Sequence, residues 1–372
     1  MHDAPVSGRL PVFPWDTLES AKTTAAAHPD GLIDLSIGTP IDPSPALAQD
    51  ALTAAADAPG YPTVQGRDEL RRAAADWLAR RFGVTGVQPQ HIIPTIGSKE
   101  LIAHLPAQLG LGPANTIAFP ELAYPTYEVG ARYVQARGVA ADSTVSFGPS
   151  APSLMFINSP SNPTGRVLGP DHLRKMVRWS RDRGVLLVSD ECYLEYVWEH
   201  DPEAYSILHP DICDGSHERL VAVHSVSKRS NLAGYRGGFV TGDPAVIDEL
   251  LQVRKHLGLM VPTPVQNAMT AVLSDDEHVD DQAGRYRRRR AVLHDALVEA
   301  GFRIDHSQAG LYLWATRDEP CRDTVAWLAE RGILVAPGDF YGHAGRDHVR
   351  IAITATDKHI DAAARRLAAR AR

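Results

Sequence analysis

Cysteine is nearly missing from this chain: Cys192, Cys213 and Cys321 are the only three in 372 residues, too far apart for a metal-binding spacing. So sparse and odd a set excludes a disulfide framework and fits a reducing compartment, the cytoplasm. Long apolar runs are missing too. No window approaches 18 uninterrupted apolar residues, which excludes an ordinary membrane span. The opening MHDAPVSGRLPVFPWDTL has no continuous apolar stretch and does not read as a secretory signal. An excess of positive charge is also absent. Thirty-eight basic against 45 acidic residues leave −7, which argues against a nucleic-acid partner. The local exception, Arg285-Tyr286-Arg287-Arg288-Arg289-Arg290, reads as the solvated side of a long helix. Lysine is the most telling shortage, since Lys22, Lys99, Lys175, Lys228, Lys255 and Lys358 are the whole set. Arginine serves as well for surface charge, but a guanidinium forms no Schiff base, so the search for a chemically used amine is short.

At 372 residues the chain can bury a large core and build two domains without metals or disulfides. Apolar spacing predicts helices over 70–82, 98–109, 171–183, 279–299, 324–331 and 360–369. Short apolar runs at 116–119, 153–157, 185–189, 220–223 and 238–240 read as strands. Further strands are expected at 302–304, 311–315, 333–336 and 349–354. The alternation predicts an α/β fold with a large domain over 46–275 around a mainly parallel central sheet, and a smaller α/β domain over 276–372. Residues 1–45 are expected to form an N-terminal arm and part of the smaller domain. Ligands of such sheets collect beyond the carboxyl ends of the strands, so the polar residues after each run carry the search for chemistry.

Five patterns stand at or near those ends: Gly97-Ser98-Lys99-Glu100; Tyr124-Pro125-Thr126-Tyr127; NSPSNPTG from Asn158 to Gly165; Ser189-Asp190-Glu191-Cys192-Tyr193; and Ser225-Val226-Ser227-Lys228, followed by Arg236. Lys228 follows an apolar run, where burial and nearby positive charge favour its neutral, nucleophilic amine. Taken alone it reads as an ordinary loop lysine. Asp190 ends a buried strand, where an unpaired carboxylate is expensive and a cationic ring nitrogen offsets the cost. Taken alone it reads equally well as a helix cap or a salt-bridge partner. Tyr193 and Asn162 can present polar groups to a phenolic oxygen, and Tyr124 an aromatic face. Ser225, Arg236 and the helix start at Ser98 offer the hydroxyl, guanidinium and amide donors that a phosphate takes. An aldehyde, a ring nitrogen, a phenolic oxygen and a phosphate together describe pyridoxal 5′-phosphate. Neither a Walker loop nor a GxGxxG fingerprint competes with it. Cys192 lacks a local histidine and aspartate to activate it, and no spacing calls for a metal.

The ordered set NPTG, DE-x-Y, SxSK and an arginine eight residues after the lysine resembles the class I and II aminotransferases of fold type I over nearly the whole chain. That resemblance implies that Lys228 carries pyridoxal phosphate as a Schiff base, that Asp190 partners its pyridinium, and that Asn162 and Tyr193 hold its O3′ oxygen. It also implies Tyr124 stacked on the ring. Ser98, Lys99 (mainly through its backbone N–H), Ser225 and Arg236 would form the phosphate region. Arg350, in HVRIA, is similar to the arginine that clamps a substrate α-carboxylate, with Asn162 beside it. Gly38, in IGTP, is similar to the segment that covers the substrate. Tyr61 is similar to the tyrosine that reaches the neighbouring subunit's cofactor phosphate, which implies a homodimer with shared active sites.

A closer resemblance, carried by LPVFPWDTL (10–18), HPDG (28–31), DLSIGTP (34–40), GSKELI (97–102) and HSVSKRSN (224–231), is to succinyldiaminopimelate transaminases of the actinobacterial type. It implies amino transfer from glutamate, which leaves as 2-oxoglutarate, to N-succinyl-2-amino-6-oxopimelate by way of pyridoxamine phosphate, in lysine and diaminopimelate biosynthesis. The alternative is another glutamate-dependent aminotransferase, such as a histidinol-phosphate or broad amino-acid enzyme. A pyridoxal-phosphate-dependent lyase or a non-enzymatic pyridoxal-phosphate-binding regulator ranks below it. A succinylated acceptor needs a further cation besides Arg350. Arg229, next to Lys228, is a candidate that also reads as a structural or surface arginine. Phe13 and Trp15 read either as entrance residues or as anchors of the N-terminus.

Overall fold

The computed structural model describes residues 5–199 and 203–369. Its main feature is a seven-stranded sheet. The order across it is Ile92–Thr95, Gly238–Gly242, Leu220–Ser225, Leu186–Asp190, Leu154–Asn158, Thr116–Phe119 and Arg137–Ala140. The last five run parallel, and the first two are antiparallel to their neighbours. LMFIN, LLVSD and LVAVHS are almost continuously apolar because helices cover both faces of the sheet. Leu173, Met176 and Val177 of helix Pro170–Arg183 pack on one face, and Leu101, Ile102 and Leu105 of helix Ser98–Gln108 on the other.

Register positions the chemistry. Asn158 pairs with Asp190, Asp190 with Val223, and Ser225 with Gly238, so the polar ends of the central strands arrive at one edge together. A second, antiparallel sheet runs Ala336–Pro337, Val349–Ala352, Tyr312–Thr316, Arg303–Asp305. In it Trp314 pairs with Arg350 and Tyr312 with Ala352. Ile33–Asp34 pairs in parallel with Ile333–Leu334, which ties the N-terminal segment to this part of the chain.

Three features depart from the sequence reading. Ile92–Thr95 is a strand despite Pro94, which an edge position tolerates because one side of the backbone needs no partner. The extended run at 333–336 divides into two short strands belonging to different sheets. The arginine run is not simply a solvated face. Arg289 is 3% exposed and clamps Asp42 at 2.6 and 2.8 Å and Asp357 at 2.5 Å, because helix Glu277–Glu299 packs against helix Asp357–Ala368 with the N-terminal segment alongside. Among the described residues no helix is long and apolar enough to cross a membrane.

Candidate active site

Beyond the carboxyl ends of the central strands lies a cavity of about 250 Å³. Gly38, Ser98, Lys99, Tyr124, Asn162, Asp190, Tyr193, Ser225, Lys228, Arg236 and Arg350 all line it. Of the cofactor and substrate residues that the family resemblance implied, Tyr61 stands apart, 96% exposed and outside this cavity.

Lys228 sits one turn past the strand Leu220–Ser225, in the short helix Val226–Arg229 that Ser225 caps. Its Nζ donates to the Gly38 carbonyl at 2.5 Å. Burial first, then the charges of Arg350 and Arg236, pull the amine below the usual lysine range, against the opposing influence of Tyr312 and Cys192. Asp190 ends its strand 6% exposed, accepting from Tyr127 Oη at 2.8 Å and from the Cys192 N–H at 3.2 Å. Desolvation outweighs these hydrogen bonds and raises its carboxyl above the usual range, so a cationic partner in the cavity stabilises it as a carboxylate.

The phosphate-sized end is built from backbone. Helix Ser98–Gln108 starts at Gly97 without a side-chain cap, leaving its first amides free. Gly97 has φ +77°, and a Cβ there would lie on the Arg236 guanidinium, so only glycine lets that cation approach the helix end. Ser225 Oγ accepts from the Ser227 N–H at 3.1 Å, and both residues line the cavity. The Lys99 side chain also lines it, exposed and 5.6 Å from the Phe13 ring centroid. The sequence reading had emphasised its backbone. Burial, then Arg236, lowers its ammonium pKa.

Arg350 comes from the second sheet. It is 3% exposed and donates to Asn162 Oδ1 at 2.8 Å and to the Ser36 carbonyl at 2.7 Å, while Nε has no hydrogen-bond partner among the described residues. Asn162 is held in turn by Asn158, whose Oδ1 accepts its N–H at 2.7 Å. Arg229 is not a contact of this cavity. It is buried with Nε on Glu195 at 2.9 Å and its guanidinium 5.4 Å from the Trp77 ring, because the helical turn aims it opposite to Lys228. Trp15 lines the entrance, whereas Phe13 is half exposed.

Sequence reasoning missed Tyr127 and Tyr312. Tyr127 lay inside a quoted motif, one helical turn after Tyr124, a spacing that could have put both on one face. Tyr312 Oη meets Tyr193 Oη at 2.9 Å, and the Arg350 guanidinium lies 4.0 Å from its ring. A Cβ on Gly38 would overlap the Tyr312 hydroxyl at 2.1 Å, which explains glycine at that position. No local pattern announces Tyr312, since it reaches the cavity from another sheet.

An amine below its usual pKa, a buried carboxylate that lacks a cation, an aromatic wall and a donor-rich helix end fit pyridoxal phosphate group by group. Fold and site together define a pyridoxal-phosphate-dependent enzyme. More narrowly, the chain belongs to the aminotransferase class I and II family, which matches residues 30–367, and it is an aminotransferase. It is 60% identical to a probable aminotransferase of Mycobacterium tuberculosis, over 97% of this chain and 86% of that one. It is 58% identical to the 4-dedimethylamino-4-oxo-anhydrotetracycline transaminase OxyQ of Streptomyces rimosus, over 96% and 99%. Among solved structures it resembles a probable N-succinyldiaminopimelate aminotransferase of Thermus thermophilus, with 30% identity, a TM-score of 0.85, and coverage of 95% and 99%.

Proposed function

We propose that this aminotransferase moves an amino group from glutamate to N-succinyl-2-amino-6-oxopimelate. Pyridoxal phosphate, when bound, supplies the electron sink that accepts the pair released at the substrate Cα. Lys228 Nζ would hold the cofactor through its aldehyde, and its free amine would take the proton from the substrate Cα. Asp190, braced by Tyr127, would stabilise the positive charge of the ring nitrogen. Tyr193 and Asn162 would hold the ring oxygen, Tyr124 would offer its aromatic face, and Ser98, Ser225 and Arg236 would hold the phosphate. Arg350 takes the substrate α-carboxylate as a planar fork, with Asn162 fixing its angle. Gly38 and Tyr312 close the cavity against water.

The substrate reading is carried by one observation: after Arg350, Arg236 and Lys228 are assigned, Lys99 remains in the cavity lining as a cation with no acidic partner among the described residues, beside the Phe13 ring. It can take the distal carboxylate of an acceptor clamped at its other end. In the test, glutamate is paired with the succinylated acceptor, its acetylated analogue and a histidinol-phosphate acceptor. The succinylated compound should be turned over best, and Lys99→Gln should raise its KM about tenfold while leaving the KM for a monocarboxylate nearly unchanged. Equal use of every acceptor would reject the substrate and leave the aminotransferase. A second reading, a bulky ring-shaped keto acceptor, is favoured by the 58% identity to OxyQ and by the Trp15 ring, which lies tilted against Phe13 and Phe340 at 5.5 and 5.4 Å. The same assay with a polycyclic ketone separates the two.

A further inference from the structure

Behind the loop that carries Asn162 lies a second cavity, of about 160 Å³. One wall is the strand Leu154–Asn158 with helix Pro170–Arg183, and the facing wall includes His306, directly after the strand Arg303–Asp305. The walls are docked by backbone bonds, Ser307 N–H to the Thr164 carbonyl at 2.8 Å and Ala309 N–H to the Gly165 carbonyl at 2.9 Å. Asn158 lines both cavities, and its Nδ2 donates to the carbonyls of Pro160 and Asp190 at 3.0 and 2.8 Å. It separates them as a polar partition.

The lining has two characters. Leu122, Met155, Ile157, Leu168 and Met176 make an apolar floor. Arg166, His172 and His306 make a basic rim. Arg166 is exposed and has no acidic partner among the described residues. Burial first, then the Arg166 charge, holds both imidazoles below the usual histidine range, so near neutral pH each offers an N–H without a charge. Asp142 is the one acid in the lining, and its Oδ1 already accepts the Glu121 N–H at 2.9 Å.

We propose that this cavity binds a small organic monoanion, a carboxylate on a compact apolar body of about the size of benzoate. Arg166 and the two imidazoles take the carboxylate, and Met155, Ile157 and Met176 take the body. Convergent polar groups over an apolar floor are how small-ligand pockets are generally built. The floor gives a fully hydrophilic anion nothing to bury, and Asp142 opposes a second negative charge. The amino-transfer chemistry uses none of these residues.

Calorimetric titration of the pyridoxal-phosphate-loaded enzyme with sodium benzoate tests this, with benzyl alcohol and inorganic phosphate as comparison probes. Arg350 in the first cavity also takes carboxylates, so Arg350→Lys, Arg166→Gln and His306→Asn are titrated alongside the wild type. Asparagine tolerates the φ of 54° at position 306. Benzoate should bind saturably, keep its affinity in Arg350→Lys, and lose about tenfold in each of the other two variants. Both comparison probes should bind at least about tenfold more weakly than benzoate. Arg166→Gln and His306→Asn should retain wild-type turnover, which shows that they fold. Binding that disappears in Arg350→Lys and persists in Arg166→Gln belongs to the first cavity and overturns the proposal. So does an absence of saturable binding up to about 10 mM benzoate.

Discussion

Lys228 and Gly38 illustrate how single residues make this cavity. The Nζ of Lys228 reaches the Gly38 carbonyl, so the amine is positioned before any substrate arrives. Lys228→Ala should lower turnover by about a thousandfold or more and abolish covalent retention of pyridoxal phosphate. Borohydride reduction followed by intact-mass measurement checks the second effect without relying on activity. Full turnover with the cofactor retained would remove Lys228 from its assigned role. Gly38 makes a different demand, because an added Cβ meets the Tyr312 hydroxyl at 2.1 Å and two further ring atoms within 2.5 Å. The ring is stacked under Arg350 and bonded to Tyr193, so it cannot move without disturbing both. Gly38→Ala should therefore cut kcat/KM about a hundredfold while the melting temperature stays close to that of wild type. A fully active Gly38→Ala enzyme would show that Tyr312 is free to shift.

At the level of elements, the register of the central sheet converts strand ends into a site. That much was legible in the sequence: LMFIN, LLVSD and LVAVHS are apolar runs whose last residues are polar, and parallel pairing brings Asn158 level with Asp190 and carries Ser225 two residues past the partner of Asp190, Val223. Tyr312 was not legible, because its place depends on how a separate antiparallel sheet docks. Arg289 was not, because a charged run gives no sign of which member faces Asp42. The same strand ends hide an acid and a base behind the site. Glu191 and His224 are fully buried, 3.6 Å apart, and among the described residues Glu191 Oε2 and both imidazole nitrogens have no hydrogen-bond partner. Burial raises the Glu191 carboxyl from 4.5 to about 7 and lowers the His224 imidazole from 6.5 to about 3. The folded state thus holds a proton on Glu191 that the unfolded chain has released between pH 4.5 and 7. Stability from this group is full below that window and is lost as pH rises through it. His224 acts in the opposite sense, and its contribution is lost as pH falls from 6.5 to about 3. Glu191→Gln keeps an acceptor for the Ile207 N–H and removes the acidic proton. Its melting temperature relative to wild type should climb by about 2–5 °C between pH 5 and pH 8. Differential scanning calorimetry across that range reads the effect, and a pH-independent difference would mean that Glu191 stays ionised when folded.

Across the whole molecule, Tyr61 is the residue that does not fit a solitary chain. It is 96% exposed, between Gly60 and Pro62, and has no part in the cavity of its own subunit. Tyrosine carries a large apolar ring and a polar tip, a combination suited to reaching across an interface. If two copies associate about a twofold axis and each lends Tyr61 to the other, every active site is assembled from Lys228 of one subunit and Tyr61 of the next. Two impaired variants then complement each other at limiting pyridoxal phosphate. Lys228→Ala lacks the amine in its own site, and Tyr61→Ala withdraws a phosphate contact from its neighbour's site, which weakens turnover at limiting pyridoxal phosphate. In a heterodimer of the two, one site has both defects and the other has neither. Random reassociation of equal amounts makes about half of the dimers mixed, each with one intact site, so activity should recover to about one quarter of wild type. Recovery should require unfolding or dissociation before mixing, because subunits that never exchange remain paired with their own kind. Mixtures that stay at the sum of the two separate activities would place Tyr61 outside the site, even if sedimentation shows a dimer.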